Sequence, residues 1–141
     1  MKAPGKHRRA VILALCALLL LAGCAGGSGG ASTKTVRIIA GHLRFAPSAL
    51  TVKAGTTVHF VLVNGDPIEH EFVLGPQEVQ QMHEESRMSG QHMMSEAGMV
   101  SLAATKTVEL TYTFATAGTV IFGCHVDDHY AQGMKGTVTV T

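Results

Sequence analysis

Eleven residues near the end of the chain, Cys124 to Met134, gather side chains that could do chemistry. The stretch reads CHVDDHYAQGM and holds one thiol, two imidazoles and a thioether. Three explanations compete: a thiol nucleophile beside a histidine base, a metal site, or coincidence. Cys124, His129 and Met134 have the spacing C-x4-H-x4-M, so a single loop can fold all three side chains back onto one point.

A thiolate, an imidazole and a thioether form a soft donor set, which suits copper. A blue-copper centre also requires a second imidazole, which must come from elsewhere in the chain. The alternative Cys-His hydrolase leaves Met134 without a role, and zinc does not ordinarily recruit methionine. Multicopper oxidases need His-x-His pairs, and the sequence contains none. We therefore expect a metal-binding protein and not an enzyme.

The N-terminus has the pattern of an export signal. Basic residues precede the apolar run AVILALCALLLLAG, which is too short to span a membrane. The junction LAGC, ending at Cys24, resembles a bacterial lipobox, so we predict a signal peptide over 1–24 and acylation of Cys24. An ordinary secretory signal cleaved a few residues later is the alternative. Acylation predicts a lipid anchor on the membrane, at the outer face of the cytoplasmic membrane or in the periplasm.

The Gly/Ser-rich stretch 25–33 is typical of a flexible linker, and we expect one folded domain over 34–141. Removing the signal leaves 7 basic against 10 acidic residues, a net charge of −3, which argues against nucleic-acid binding. Cys124 is the one cysteine inside the predicted domain, so no disulfide can form within it. We expect a monomer whose protein partner, a redox protein or a copper donor or acceptor, is not specified by the sequence.

Most of the domain has the alternation of β-strands. In 107–114 the apolar residues recur at every second position, and in 118–124 the same period places Val120, Phe122 and Cys124 on one face. The predicted strands are 34–41, two strands within 48–64 around a turn at Ala54-Gly55, 69–75, 107–114, 118–124 and 135–141. This pattern predicts an all-β, Greek-key sandwich.

One segment departs from the β pattern. The residues of 76–87 are good helix formers that start at a proline, which predicts a short helix followed by a loop over 89–98. We expect Val79, Met82 and His83 to share one face of this helix. The fold prediction is therefore a β-sandwich with a helix and loop inserted before its last strands.

The sequence resembles the cupredoxins, the plastocyanin and azurin type of blue copper protein. The resemblance covers about 34–141. It rests on FAPSALTVKAGTTVHFVLVNGD (45–66), HEFVL (70–74), GTVIFGC (118–124) and HYAQGMKGTVTV (129–140). It implies one type 1 copper ion bound by His70, Cys124, His129 and Met134, and a single-electron carrier between Cu(I) and Cu(II). In relatives an asparagine near Asn64 ties the ligand loops together, although Asn64 also suits a plain turn.

Two features depart from simple electron carriers. Asp127 and Asp128 stand where many relatives have Pro-Gly, and these carboxylates either favour Cu(II) or lie on the surface and face a partner. The segment 76–99 resembles the Met/His-rich insert of cupredoxins associated with copper tolerance. It is either a cap over the sandwich or a weaker Cu(I) site, which makes copper capture or delivery the alternative function. The secondary-site candidates are Met82, His83, Met88, His92, Met93, Met94 and Met99.

The remaining histidines have simpler interpretations. His125 follows Cys124 directly, so strand alternation turns it away from the cysteine, and we expect a surface or packing residue and not a ligand. We expect His59 to be a partly buried mid-strand residue and His42 a loop residue.

Overall fold

The computed structural model describes residues 32–89 and 98–141. The predicted signal peptide, the lipobox cysteine, most of the linker, and His92, Met93 and Met94 lie outside these ranges. The described residues form nine strands and one helix: β1 Thr33–Gly41, β2 Arg44–Ala46, β3 Ala49–Val52, β4 Thr56–Asn64, β5 His70–Gly75, α1 Gln77–Met88, β6 Met99–Leu102, β7 Thr107–Phe114, β8 Gly118–Gly123 and β9 Lys135–Val140. Within these ranges no helix has the length and apolarity needed to cross a membrane.

The strands build two sheets packed face to face, which confirms the all-β prediction. One sheet has the order β2-β1-β4-β7 and the other the order β3-β9-β8-β5-β6. The predicted strands are present within a few residues of their expected bounds. Strands β2 and β6 were not predicted: each has three or four residues, too few for an alternating pattern to stand out.

The core lies between the sheets and is built by strand alternation. In β4 every second residue from Thr56 to Asn64 is buried, while the residues between them are half-buried. All five phenylalanines of the chain point into this core, and each packs against another at ring-centroid distances of 5.1–6.3 Å. They are Phe45, Phe60, Phe72, Phe114 and Phe122. The inward positions of β8 continue this face, since Val120 packs against the core and Cys124 lies fully within it.

Helix α1 forms where the sequence predicts it. Of the three residues predicted to share a face, His83 is buried, Val79 is half-buried and Met82 is 46% exposed. The buried residues of the helix are Gln80 and His83. A polar face is buried because the surface beneath it offers hydrogen-bond partners, a property that hydrophobic periodicity does not register.

The helix covers the outer face of the five-stranded sheet, over β5 and β8. Two glycines permit this close approach. On the helix side, a Cβ atom at Gly75 would lie 2.6 Å from the Val79 side chain, and one at Gly123 would lie 2.8 Å from Oε1 of Gln80. Larger residues at these positions would push the covering side chains outward. The described part of the inserted segment is therefore a cap on the sandwich.

Candidate metal centre

Two neighbouring strands and one loop bring the sequence-predicted ligands together. His70 is the first residue of β5, and Cys124 directly follows β8. These strands are antiparallel neighbours, with Val73 opposite Gly123, so the start of one lies beside the end of the other. The loop from β8 to β9 then carries His129 and Met134 back toward the same end of the sandwich.

Three potential ligand atoms meet in a buried cluster. The Cys124 Sγ lies 3.4 Å from Nδ1 of His129 and 3.8 Å from Nδ1 of His70. The ligand atoms of the three residues all lie within 4.8 Å of one another. His70 and Cys124 have no exposed surface, and His129 is 5% exposed. Among the described residues this is the one cluster of three or more His, Cys, Asp and Glu side chains with metal-site spacing.

Backbone hydrogen bonds close the loop around this cluster. The Cys124 N–H donates to the Met134 carbonyl at 3.1 Å, and the Met134 N–H donates to the His129 carbonyl at 2.9 Å. The Met134 side chain is fully buried at the end of the loop. Cys124, His129 and Met134 are thus tied to one another by their own main chain.

The cysteine sulfur has opposing influences on its protonation. Burial raises the pKa of the Cys124 thiol, while backbone N–H groups of Glu71 and Val126 act to lower it. The Glu71 N–H donates to Sγ at an N···S distance of 3.3 Å. A bound cation favours the thiolate, because metal binding replaces the thiol proton. The donor set therefore fits a soft metal ion.

Comparison with known proteins identifies the family. A family profile described as copper binding proteins of the plastocyanin/azurin family matches residues 32–141. The chain belongs to this family. It is thus a cupredoxin with copper as its cofactor, and the cluster of His70, Cys124 and His129 suits a type 1 copper site.

Individual proteins with similar sequences are consistent with this family assignment. The cupredoxin is 37% identical to the copper-resistant cuproprotein CopI of Rubrivivax gelatinosus over 81% of this chain and 70% of the relative. It is 30% identical to CopI of Pseudomonas aeruginosa, over 77% of each chain. It is 35% identical to a plastocyanin of Scenedesmus fuscus, over 71% of this chain and 89% of the relative.

Solved structures with a similar fold include two auracyanins. Auracyanin A, a blue copper protein from Chloroflexus aurantiacus, superposes with a TM-score of 0.66 at 25% identity, covering 78% of this chain and all of that one. Auracyanin B superposes with a TM-score of 0.64 at 26% identity, covering 77% of this chain and 88% of that one.

Asp66 is a residue of this cupredoxin's centre that the sequence analysis missed. Its carboxylate Oδ2 lies 3.1 Å from Nε2 of His70 and accepts the backbone N–H of His42 at 2.7 Å. Burial raises the pKa of Asp66, but these hydrogen bonds outweigh it, and the net shift is downward. An ionised Asp66 holds the outer nitrogen of His70 as a donor, which leaves Nδ1 facing the cysteine.

The other acidic candidates lie elsewhere. Asp127 and Asp128 are exposed, which agrees with the interpretation that they lie on the surface.

The sequence feature that could have identified Asp66 is its place four residues before His70, in the motif NGD. That motif also suits an ordinary turn, so spacing alone did not single it out.

Asn64 ties the ligand-bearing segments together. Its side-chain amide donates to the carbonyls of Ile68 and Leu102 at 2.7 and 2.8 Å, and its oxygen accepts the Asp66 N–H at 2.9 Å. Leu102 is the β6 residue paired with His70. Asn64 therefore fixes both the loop before His70 and the strand beside it.

The remaining histidines lie outside the cluster. His125 is fully buried beneath α1, so it is the packing residue and not the surface one. His59 is half-buried on the outer face of β4, 3.2 Å from Glu109, and His42 lies in the turn after β1. Each of these positions agrees with the sequence analysis.

The described Met/His candidates differ in their exposure. Met82 and Met88 are 46% and 86% exposed on α1, whereas His83 is 4% exposed beneath it. Met99 is half-buried at the start of β6. The secondary copper sites remain predictions.

Proposed function

We propose that this cupredoxin holds one copper ion between His70, Cys124, His129 and Met134 and passes single electrons through it. The observation that carries the proposal is the buried arrangement in which two imidazole Nδ1 atoms face one cysteine sulfur. Copper bound there would cycle between Cu(I) and Cu(II). The ligand types, two His and one Cys with a Met at the end of the loop, are those of a blue-copper site.

The protein supplies a rigid setting for this cycle. Backbone hydrogen bonds fix the late loop, and Asn64 and Asp66 hold the His70 segment, so the ligands need little rearrangement between the two oxidation states. Met134, fully buried, is the proposed weak axial donor. His129 is 5% exposed and His70 is not exposed at all, which favours the His129 ring edge as the route for electrons.

A spectrum of the purified protein loaded with cupric salt tests the proposal. We expect a strong visible thiolate-to-copper band and a narrow copper hyperfine splitting in EPR. Cys124→Ser should abolish the band, and Met134→Gln should shift the spectrum and the reduction potential. A colourless wild-type protein would refute the copper centre, and an unchanged Met134→Gln spectrum would remove Met134 from it.

We also propose a setting at the cell envelope. The supporting pattern is the signal sequence that ends in LAGC, which predicts an exported protein anchored through acylated Cys24. Such an anchor would confine the copper centre to the neighbourhood of membrane-bound partners. Mass spectrometry of the mature N-terminal peptide checks this, and an unmodified N-terminus beyond residue 24 would contradict it.

Copper tolerance is the second candidate function. It is favoured by the relatives named copper-resistant cuproprotein, and the exposed thioethers of Met82 and Met88 add soft donors for Cu(I). In this function the protein captures or delivers envelope copper, and binding rather than catalysis is its role. Electron transfer requires the ligands of the buried cluster, whereas copper capture by α1 requires its exposed methionines. Substitutions in the two groups can therefore separate the two functions.

A complementation experiment separates them. A strain lacking the protein is challenged with copper and complemented with wild type, Cys124→Ser, or the double variant Met82→Leu and Met88→Leu. Tolerance lost in the double variant, with its visible spectrum intact, would support copper capture by α1. Equal copper tolerance in the strain lacking the protein and in the strain complemented with wild type would reject the tolerance function. The experiment substitutes the exposed methionines and keeps the segment 76–99, because α1 packs on the sandwich and its deletion would disturb the fold.

A further inference from the structure

Glu71 follows His70, His125 follows Cys124, and Tyr130 follows His129. Side chains alternate along extended chain, so the residues after the inward-pointing His70 and Cys124 point outward. Helix α1 covers this outer face and carries hydrogen-bonding partners for Glu71 and His125. Tyr130 lies in the turn between β8 and β9 and packs on His125.

Glu71 is joined to the last turn of the helix. Its carboxylate accepts a hydrogen bond from Nη1 of Arg87 at 2.9 Å, and both side chains are more than two-thirds buried. The backbone N–H of the same Glu71 donates to Cys124 Sγ at 3.3 Å. The ion pair therefore holds the residue whose main chain hydrogen-bonds to the sulfur.

His125 is held at both ring nitrogens. Its Nδ1 lies 2.5 Å from the Glu84 carboxylate and its Nε2 lies 2.8 Å from Oε1 of Gln80. The ring has no exposed surface. A buried imidazole with directional partners on both sides has one allowed orientation, which fixes the main chain on the C-terminal side of Cys124.

Tyr130 completes the set. Its ring stacks on His125 at a centroid distance of 4.6 Å. The same ring rests against Gly123, where a Cβ atom would lie within 2.6 Å. The His129 segment is thereby packed on the strand end that carries Cys124.

Gln80 anchors the helix between the two strands. Its side-chain amide N–H groups face the carbonyls of Val73 in β5 at 3.1 Å and Ile121 in β8 at 3.3 Å. Because its oxygen meets His125, one buried side chain links both ligand-bearing strands to the residue after the cysteine.

We propose that the polar face of α1 positions the copper ligands through their outward neighbours, so that copper binding and helix order are coupled. Gln80, Glu84 and Arg87 are positioning residues in this arrangement, and none of them is a candidate ligand. The proposal rests on the copper centre of the proposed function. It assigns the inserted helix a role in the centre that is independent of its exposed methionines.

The coupling is reciprocal. Ligands held at fixed spacing lose less conformational freedom when the ion binds, which strengthens binding. By the same linkage, an ion that fixes the three ligand segments restricts motion of the helix attached to their neighbours. A coupling between sites typically changes an equilibrium about fivefold or more.

Adjacent glutamates on α1 provide a matched test. Glu84 faces His125, whereas Glu85 is exposed on the same helix. We expect Glu84→Gln to weaken copper binding about fivefold or more and to alter the EPR hyperfine splitting, and Glu85→Gln to leave both unchanged. Arg87→Met should also weaken copper binding, because it removes the partner of Glu71. Arg87→Lys keeps the positive charge and should weaken copper binding less than Arg87→Met. Equal affinity and spectra for the Glu84 and Glu85 variants would overturn the proposal.

Hydrogen exchange on the wild-type protein gives a second test that needs no variant. Copper loading should slow exchange of the α1 amides about fivefold or more relative to the apoprotein, with little change in the distant strand β3. Equal α1 exchange in the two forms would also overturn the proposal. The visible band of the same sample separates the two hypotheses: without the band the copper centre itself fails, and with the band but equal exchange only the coupling fails.

Discussion

Strands β5 and β8 have two unlike faces. Their inner face carries Phe72, Phe122 and Cys124 into a core of packed rings, where Phe72 and Phe122 stack at 5.1 Å. Their outer face carries glycine, glutamate and histidine, and it is sealed by the polar side of α1. One face is stabilised by apolar burial and the other by directional hydrogen bonds.

The difference shows how the candidate site is built. Apolar packing is strong but only weakly directional, so it sets the distance between the sheets without fixing a donor atom to a fraction of an ångström. Hydrogen bonds contribute less net stability but specify orientation. We therefore expect substitutions of the inner-face phenylalanines to affect mainly stability and outer-face substitutions to affect the geometry of the centre as well.

The largest expected effect is on the inner face. Phe72→Ala removes a fully buried ring and should lower the free energy of unfolding by about 3–5 kcal/mol. Urea denaturation of the apoprotein measures it. Ile39→Ala, at a position 44% exposed, is the control and should change stability much less. A loss below that of the control would show that the ring cluster is not the main source of stability.

The outer face should respond more weakly. Gln80→Leu keeps the volume but leaves buried carbonyls and the His125 ring without their partner, which should lower stability by roughly 1–3 kcal/mol. Gln81→Leu, on the exposed side of the same helix, is the matched control. Urea denaturation of both variants checks the prediction. If Gln80→Leu instead raises the free energy of unfolding, burial of apolar surface contributes more than hydrogen bonding on the outer face as well.

The carboxylate beside His70 should affect the potential more than the stability. Asp66→Asn removes a negative charge 3.1 Å from the outer nitrogen of His70, which disfavours Cu(II) and raises the reduction potential. A tenfold shift in the redox equilibrium corresponds to about 59 mV for one electron. Protein-film voltammetry measures it, with exposed Asp128→Asn as the control. A lower potential in Asp66→Asn would contradict the assigned role.

The smallest effect is expected on the outer face of the other sheet. His59 and Glu109 lie 3.2 Å apart there, and their side chains are 34% and 65% exposed. Glu109→Gln should change the free energy of unfolding by roughly 0.5 kcal/mol or less, because water and salt screen such pairs. Thermal denaturation at low and high salt checks this. A loss of several kcal/mol would mean that both outer faces depend on polar contacts.

The strands were predictable where alternation was long. The eight residues of β7 alternate cleanly, and its bounds agree with the prediction. The helix was predictable from composition, but its orientation was not. Met82 is exposed, whereas the polar residues Gln80 and His83 are buried. Their burial depends on the carbonyls and side chains of β5, β8 and the loop beyond, which a local pattern does not contain.

The late loop was the predictable part of the candidate site. Cys124, His129 and Met134 are near in sequence, so their chemistry and spacing are visible in one stretch. His70 came from the family resemblance, 54 residues away from the cysteine. Asp66 was missed, because its contact with His70 depends on how the loop between β4 and β5 turns.

The sequence by itself determined the alternating strands, the single cysteine of the described domain and the soft donors of the late loop, because these depend on residue type and short spacing. The tertiary structure decided which imidazole meets Cys124 and which carboxylate supports His70. It also decided that the inserted helix turns a polar face onto Glu71 and His125, the residues that follow His70 and Cys124. The pairing of β5 with β8 brings His70 beside Cys124, and the turn of the loop before β5 brings Asp66 beside His70, because each contact depends on chain geometry beyond the local pattern.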